Sequence, residues 1–224
     1  MIIHPIAYIK NDFSSKFGIP RQSSLVDGIH AQIIFTEEYR NPDYLRGVEE
    51  YSHLWLIWEF SKNKVVPPSP TVRPPRLGGN IRKGVFSTRS PYRPNPLGLS
   101  CVKLERVEWD SPQGPILHIE GADLLDGTPI YDIKPYLSFS DSHPDALCGW
   151  AGDAFAKTLK VVWAFEAKEP KEFVETISRL LAQDPRPSYQ DDAERIYGME
   201  YGGYDIHFRI DKETVIVLDL CKKR

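Results

Sequence analysis

The sequence predicts a mainly β protein whose first part is antiparallel and either closed or strongly curled, followed by a small α+β unit. Three observations lead there. Short runs rich in β-branched and aromatic residues dominate the chain up to about residue 165. Gly, Pro and Asp punctuate between them, at Asp27-Gly28, Gly78-Gly79, Ser111-Pro-Gln-Gly114 and Asp126-Gly127. Helical periods are scarce before residue 170. Open sheet edges template unwanted pairing, so a sheet built from such runs is expected to close on itself.

The strands follow in order. Ile2–Ile9 and Ile29–Thr36 read as the first two. His53–Phe60 is apolar almost throughout and is expected to lie buried on both faces. Leu97–Val107, Pro115–Glu120 and Leu159–Phe165 complete the first domain, residues 1–167. The pattern then changes. From Pro170, Phe173, Val174, Ile177, Leu180 and Leu181 fall on one helical face, and Asp184-Pro185 supplies a stop. Tyr204–Ile210 and Thr214–Leu220, joined by Asp211-Lys-Glu213, carry a hairpin signature. Residues 168–224 therefore form the small second domain.

Composition bounds the function. The chain is 41% hydrophobic and 26% charged, as in a water-soluble globular protein. No apolar run is long enough to span a bilayer, and the N-terminus lacks the basic-then-apolar pattern of a secretory leader. The three cysteines, Cys101, Cys148 and Cys221, stand far apart, without metal-ligand spacing. A reducing cytoplasm suits them, and neither a disulfide framework nor a structural metal is expected.

Charge is distributed unevenly. Residues 61–104 hold nine basic side chains and no acidic one, while the whole chain is net −3. Eight of the nineteen prolines lie in the same window. A basic stretch stiffened by proline suits an anion, and planar Arg donors match phosphate oxygens two at a time. Sequence-blind coating of nucleic acid is excluded by the overall acidity, so any such contact must be local.

Polar clusters mark strand ends. Pro20-Arg21-Gln22 sits between the first two strands and offers a guanidinium fork beside an amide. In Gly84-Val-Phe-Ser-Thr-Arg-Ser-Pro-Tyr-Arg-Pro-Asn-Pro-Leu-Gly98, alternating prolines hold Arg89, Arg93 and Asn95 on a stiff path. Such stiffness lowers the entropy lost on gripping a ligand. Asp126-Gly-Thr-Pro129 is a tight-turn sequence, and Ile133-Lys-Pro-Tyr136 adds a cation and a phenol. His53 opens the apolar strand as a satisfied core residue, and Ser61-Lys62 closes it. The tyrosines of Tyr197–Tyr204 suit either base stacking or packing. No GxGxxG follows a strand, and no phosphate-loop, HExxH or GxSxG motif is present.

These segments, with Gly47-Val-Glu-Glu-Tyr-Ser-His-Leu-Trp55, Arg73-Pro-Pro-Arg-Leu-Gly-Gly-Asn80 and Ala182-Gln-Asp-Pro-Arg-Pro-Ser-Tyr189, resemble the TsaA/TrmO family over nearly the whole chain. The resemblance implies a small antiparallel β-barrel and a homodimer. It implies S-adenosylmethionine-dependent N6-methylation of threonylcarbamoyladenosine at position 37, beside the anticodon of a threonine tRNA. Carried onto matching positions, the donor pocket would comprise Pro20, Arg21, Gln22, Ser61, Lys62, Arg89, Leu99, Asp126, Gly127, Thr128 and Pro129. Arg89, Asp126 and Tyr136 would be the catalytic candidates, with His53 a further candidate base. Arg73, Arg76, Arg82, Arg93, Asn95 and Lys134 would contact the tRNA, and no metal is required. Two rival readings remain at this level: a non-catalytic RNA-binding barrel, and a dimeric scaffold for an acidic protein partner.

Overall fold

The computed structural model describes residues 2–63, 67, 69–78, 80–152, 158–186 and 192–223. Lys64, Gly79 and the end of the 182–189 segment lie outside these residues, as does the side chain of Arg76. The first part of the chain contains β1 (Ala7–Lys10), β2 (His30–Phe35), β3 (His53–Glu59), β4 (Thr71–Val72), β5 (Lys83–Gly84), β6 (Leu97–Glu108), β7 (Ile116–Glu120) and β8 (Pro129–Pro135). Six of these close into a barrel in the order β1-β2-β7-β6-β3-β8, and β4 and β5 form a separate two-stranded hairpin. Every barrel pairing is antiparallel, and β1 seals the ring against β8. Register shifts at Ile57/Trp58 and Leu104/Arg106 supply the local twist that closure needs. The expected closed antiparallel barrel is what forms.

Two sequence expectations change. β3 is not buried on both faces: Leu54, Leu56 and Trp58 point into the barrel, while His53, Trp55, Ile57 and Glu59 are half-buried outside. Continuous hydrophobicity here conceals an ordinary period of two, because Trp55 and Ile57 cover an outer surface. Apolar Ile2 and Ile3 are exposed, and β1 begins only at Ala7. β8 carries no plain strand signal in sequence, because Pro129 opens it and Pro135 ends it, both tolerated at strand ends.

A short helix α1 (Ser138–Asp141) follows β8 against the barrel, where Asp141 accepts from the Trp55 indole at 2.8 Å. The second part contains β9 (Lys160–Trp163), α2 (Lys171–Ala182), β10 (Tyr197–Tyr201), β11 (Tyr204–Asp211) and β12 (Thr214–Lys222). Its sheet runs β10-β11-β12-β9. β9 lies parallel to β12, so the strand that the sequence grouped with residues 1–167 hydrogen-bonds into the second sheet. A parallel edge leaves no turn signal in sequence, since its partner is more than fifty residues away. α2 starts after Pro170 and buries Thr176, Ile177, Leu180 and Leu181.

Two cores result. The barrel is filled by Ala7, Ile9, Ile33, Phe35, Leu54, Leu56, Trp58, Val102, Leu117, Ile119, Leu124 and Ile130. The second core joins α2 and its sheet to Phe13, Val26 and Ile29 from residues 11–29, the long connection between β1 and β2. Phe13 is fully buried against Tyr201, with ring centroids 5.1 Å apart. Burying such a side chain stabilises by about 2–3 kcal/mol. Gly18, at φ +95°, lets this connection approach Met199 where a Cβ would sit 2.3 Å from the sulfur. Among the described residues, no helix is long and apolar enough to cross a membrane.

Candidate active site at the barrel mouth

Three segments and the end of β3 meet over one cavity of about 720 Å³. Residues 11–29 contribute Lys16, Pro20, Arg21 and Gln22; the end of β3 contributes Trp58, Glu59, Ser61 and Lys62; the proline segment contributes Arg89, Arg93, Asn95 and Leu99; and the stretch after β7 contributes Asp123, Leu125 and Thr128. The volume is that of a site for a nucleoside-sized ligand. Its rim is cationic and its walls largely apolar.

The side chains are wired together. Arg89 donates to Gln22 Oε1, and Gln22 Nε2 donates to the Arg21 carbonyl. Arg21 donates to the carbonyls of Asp184 and Arg186, at 3.0 and 3.2 Å, just beyond α2. The second unit thereby holds a wall of a cavity that the barrel opens. Lys16 Nζ donates to the Lys62 carbonyl at 2.7 Å and to Asn63 Oδ1 at 2.5 Å. The amide nitrogen of Asn63 is buried on the cavity wall with no partner among the described residues. An unpaired buried donor costs about 1–3 kcal/mol, which a ligand acceptor would recover.

One relay runs inward. Trp58 Nε1 donates to Ser100 Oγ at 2.9 Å, and Ser100 donates to Asp123 Oδ1 at 2.5 Å. Ser100 is fully buried in β6, facing the barrel interior. Gly98 makes room for the indole, because a Cβ there would lie 2.3 Å from the Trp58 ring. Burial pushes the Asp123 carboxyl up to about 6, opposed by the Ser100 bond, backbone N–H groups and the Arg89 charge. The other lining carboxylate, Glu59, accepts from the Tyr131 hydroxyl at 2.5 Å, and that bond pushes the phenol up to about 12.

The sequence-predicted residues divide. Pro20, Arg21, Gln22, Ser61, Lys62, Arg89, Leu99 and Thr128 line the cavity, as do Arg93 and Asn95. Asp126, Gly127 and Pro129 flank Thr128 without lining it. Asp126 instead accepts from the Asn11 N–H at 2.9 Å. Tyr136 packs against His53 and Trp55, with ring centroids 6.1 and 5.8 Å away. Lys134 lines a second, shallower cleft with Trp55, Ile57, Asp141 and His143, and Leu99 borders both. Arg82 bonds Thr71 across the β4–β5 hairpin at 2.8 Å, and Arg73 is exposed after β4. Tyr197 and Tyr201 are buried in the second core, so they pack rather than offer faces to bases.

Sequence reasoning missed Lys16, Trp58, Glu59, Asn63, Ser100 and Asp123. Only Asp123 left a signal, as the one charge inside the apolar run Gly121-Ala-Asp-Leu-Leu125.

A model of the tRNA-methyltransferase O N-terminal domain matches residues 8–142, and one of the TrmO C-terminal domain matches residues 154–223. The chain belongs to the tRNA-methyltransferase O family. It is 39% identical over 215 residues to a tRNA (adenine(37)-N6)-methyltransferase of Escherichia coli strain K12, covering 92% of this chain and 91% of that protein. A protein of the same name from Eikenella corrodens is 48% identical over 170 residues, 75% of this chain and 95% of that one. A Pseudomonas aeruginosa protein named a putative S-adenosylmethionine-dependent methyltransferase is 38% identical over 98% of this chain and 97% of its own length. A crystal structure of TrmO from P. aeruginosa superposes with a TM-score of 0.80 at 34% identity, covering 99% of this chain and 97% of that chain.

Proposed function

We propose that this protein methylates N6 of adenosine 37 in tRNA, using S-adenosylmethionine, and that the cavity at the barrel mouth is where the reaction occurs. The observation that carries the reading is the convergence of Arg21, Gln22, Lys62, Arg89 and Asp123 on one cavity of about 720 Å³. The E. coli and Eikenella relatives are named for that reaction.

The residues suit the donor. Lys16, Arg21 and the unpaired Asn63 amide offer hydrogen-bond donors to a carboxylate, and Trp58, Leu99 and Leu125 offer apolar faces to an adenine. When bound, S-adenosylmethionine supplies a methyl group already activated on a sulfonium. The chain's own task is then mainly alignment and exclusion of water. Arg89, fixed by Gln22, orients what enters beside Asp123, and the buried Thr128 closes the wall.

The finer elements belong to the same reading. The substrate is threonylcarbamoyladenosine next to the anticodon of a threonine tRNA, and its phosphates meet Arg93, Arg73, Arg82 and Lys134. Asp126, Gly127 and Pro129 shape the pocket from behind Thr128. Phe86 and Leu99 are 79% and 55% exposed at the mouth, an apolar rim that a second copy in a homodimer would cover. The barrel holds the chemistry, and the second unit, whose sheet includes β9, supports it. A cytoplasmic location follows from the substrate.

The test is transfer of isotope-labelled methyl from S-adenosylmethionine to threonine tRNA that carries the threonylcarbamoyl group. Label entering this tRNA, and not one with guanosine at position 37, is expected. Equal labelling of both, or of neither, overturns the reading.

A further inference from the structure

We infer that Asp123 is the proton acceptor of the methyl transfer, held in place by the Trp58–Ser100 relay. The inference rests on the proposed function above and adds a residue to it. As N6 forms its bond to the methyl carbon, the methyl–sulfur bond breaks and its electron pair returns to sulfur. N6 then holds one proton too many, and that proton passes to the Asp123 carboxylate. The products are the methylated adenosine, a neutral thioether and a carboxylic acid, so charge and atoms balance.

The geometry favours Asp123 over the other acids and bases. It lines the cavity, whereas Asp126 and Tyr136 do not. Glu59 lines it too, but it stands on the outward side of β3, bonded to Tyr131, whereas Asp123 is bonded to Ser100 inside the barrel. Asp123 is aimed by a bond from Ser100, whose oxygen is itself fixed by the Trp58 indole inside the barrel. A base held by a buried donor chain keeps its direction without using a substrate contact. The charged groups sharing its cavity are Lys16, Arg21, Lys62, Arg89, Arg93 and Glu59, and of these Arg89 acts directly on its carboxyl. Its affinity for protons, near 6, is close to the working pH, where a general base transfers protons most effectively.

Three variants test this: Asp123→Asn, Asp123→Glu and Ser100→Ala. The readouts are S-adenosylmethionine binding by calorimetry, single-turnover methylation of modified threonine tRNA across pH 5–9, and thermal unfolding. The wild-type rate is expected to rise with pH and level off near 6. Asp123→Asn should bind S-adenosylmethionine as the wild type does, yet lose at least about a hundred-fold in rate and the acidic limb of the profile. Asp123→Glu should keep the limb with a lower plateau. Ser100→Ala removes a bond that favours the ionised carboxyl, so its acidic limb should move to higher pH. An Asp123→Asn protein with wild-type rate and profile overturns the inference. So does one that no longer binds S-adenosylmethionine, which would make Asp123 a donor ligand. A wild-type protein that binds S-adenosylmethionine but methylates no adenosine 37 would instead sink the proposed function.

Discussion

Residues 11–29 face two neighbours, and the two faces are built by opposite rules. Toward the second unit they present Phe13, Val26 and Ile29, buried among Ile177, Tyr201 and Phe208. Toward the barrel mouth they present Lys16, Arg21 and Gln22 over a cavity with an unpaired amide and a desolvated carboxyl. The first face gains stability from apolar burial. The second spends some of it to keep polar groups ready for a ligand, as functional sites commonly do. The difference teaches what the second unit does for the site: it fixes the connection from behind and grips Arg21 by the Asp184 and Arg186 carbonyls.

The comparison can be broken from the apolar face first. Phe208 is fully buried and stacks with Phe17 and Tyr197. Phe208→Ala should cost about 3–5 kcal/mol in urea unfolding. Because the same core anchors residues 11–29, S-adenosylmethionine affinity should fall as well. A loss of stability with unchanged affinity would uncouple the two faces.

Gly98→Val attacks from the cavity face. Its side chain would drive into the Trp58 ring, and overpacking of this kind costs about 1–3 kcal/mol. Here donor binding should suffer more than stability, since Trp58 and Gly98 both line the cavity. Unperturbed binding by calorimetry would show that the cavity is not the donor site.

Arg21→Gln cuts the link between the faces. Each lost hydrogen bond to a carbonyl is worth about 1.5–3 kcal/mol when the donor is charged, part of which the substituted amide retains. Donor binding should weaken by roughly tenfold with the two cores intact. Wild-type affinity would mean that the second unit supports the barrel without reaching the site.

The smallest effect is the sharpest in sign. Asp123 has its carboxyl raised from 3.8 to about 6 in the folded protein, so ionising it opposes folding. Its favourable contribution is full below 3.8 and is lost as pH rises through 6. Asp123→Asn, which keeps an acceptor for Ser100, should therefore raise the melting temperature at pH 7 and leave it nearly unchanged at pH 4. A variant less stable at pH 7 would contradict the desolvation.

Much of this was legible in the residues themselves. α2 and the β11–β12 hairpin follow from local periodicity and a short turn. Arg89 stood out because prolines isolate it in a basic window, and Pro20-Arg-Gln22 because it interrupts a strand-rich stretch. What stayed hidden depends on long-range pairing. β9 joins β12 in parallel across the helix and hairpin between them. β10, whose sequence reads as a Gly-interrupted aromatic loop, is a strand only because β11 pairs with it. Asp123 is near Ser100 only through the barrel's closure, which no spacing in sequence encodes.

The most direct test of the central claim is mass spectrometry of nucleosides from threonylcarbamoyl-modified threonine tRNA, incubated with the protein and S-adenosylmethionine. A single methyl gained on the modified adenosine, and nowhere else, is the predicted result. An unchanged adenosine, from a protein shown to bind S-adenosylmethionine, would contradict it.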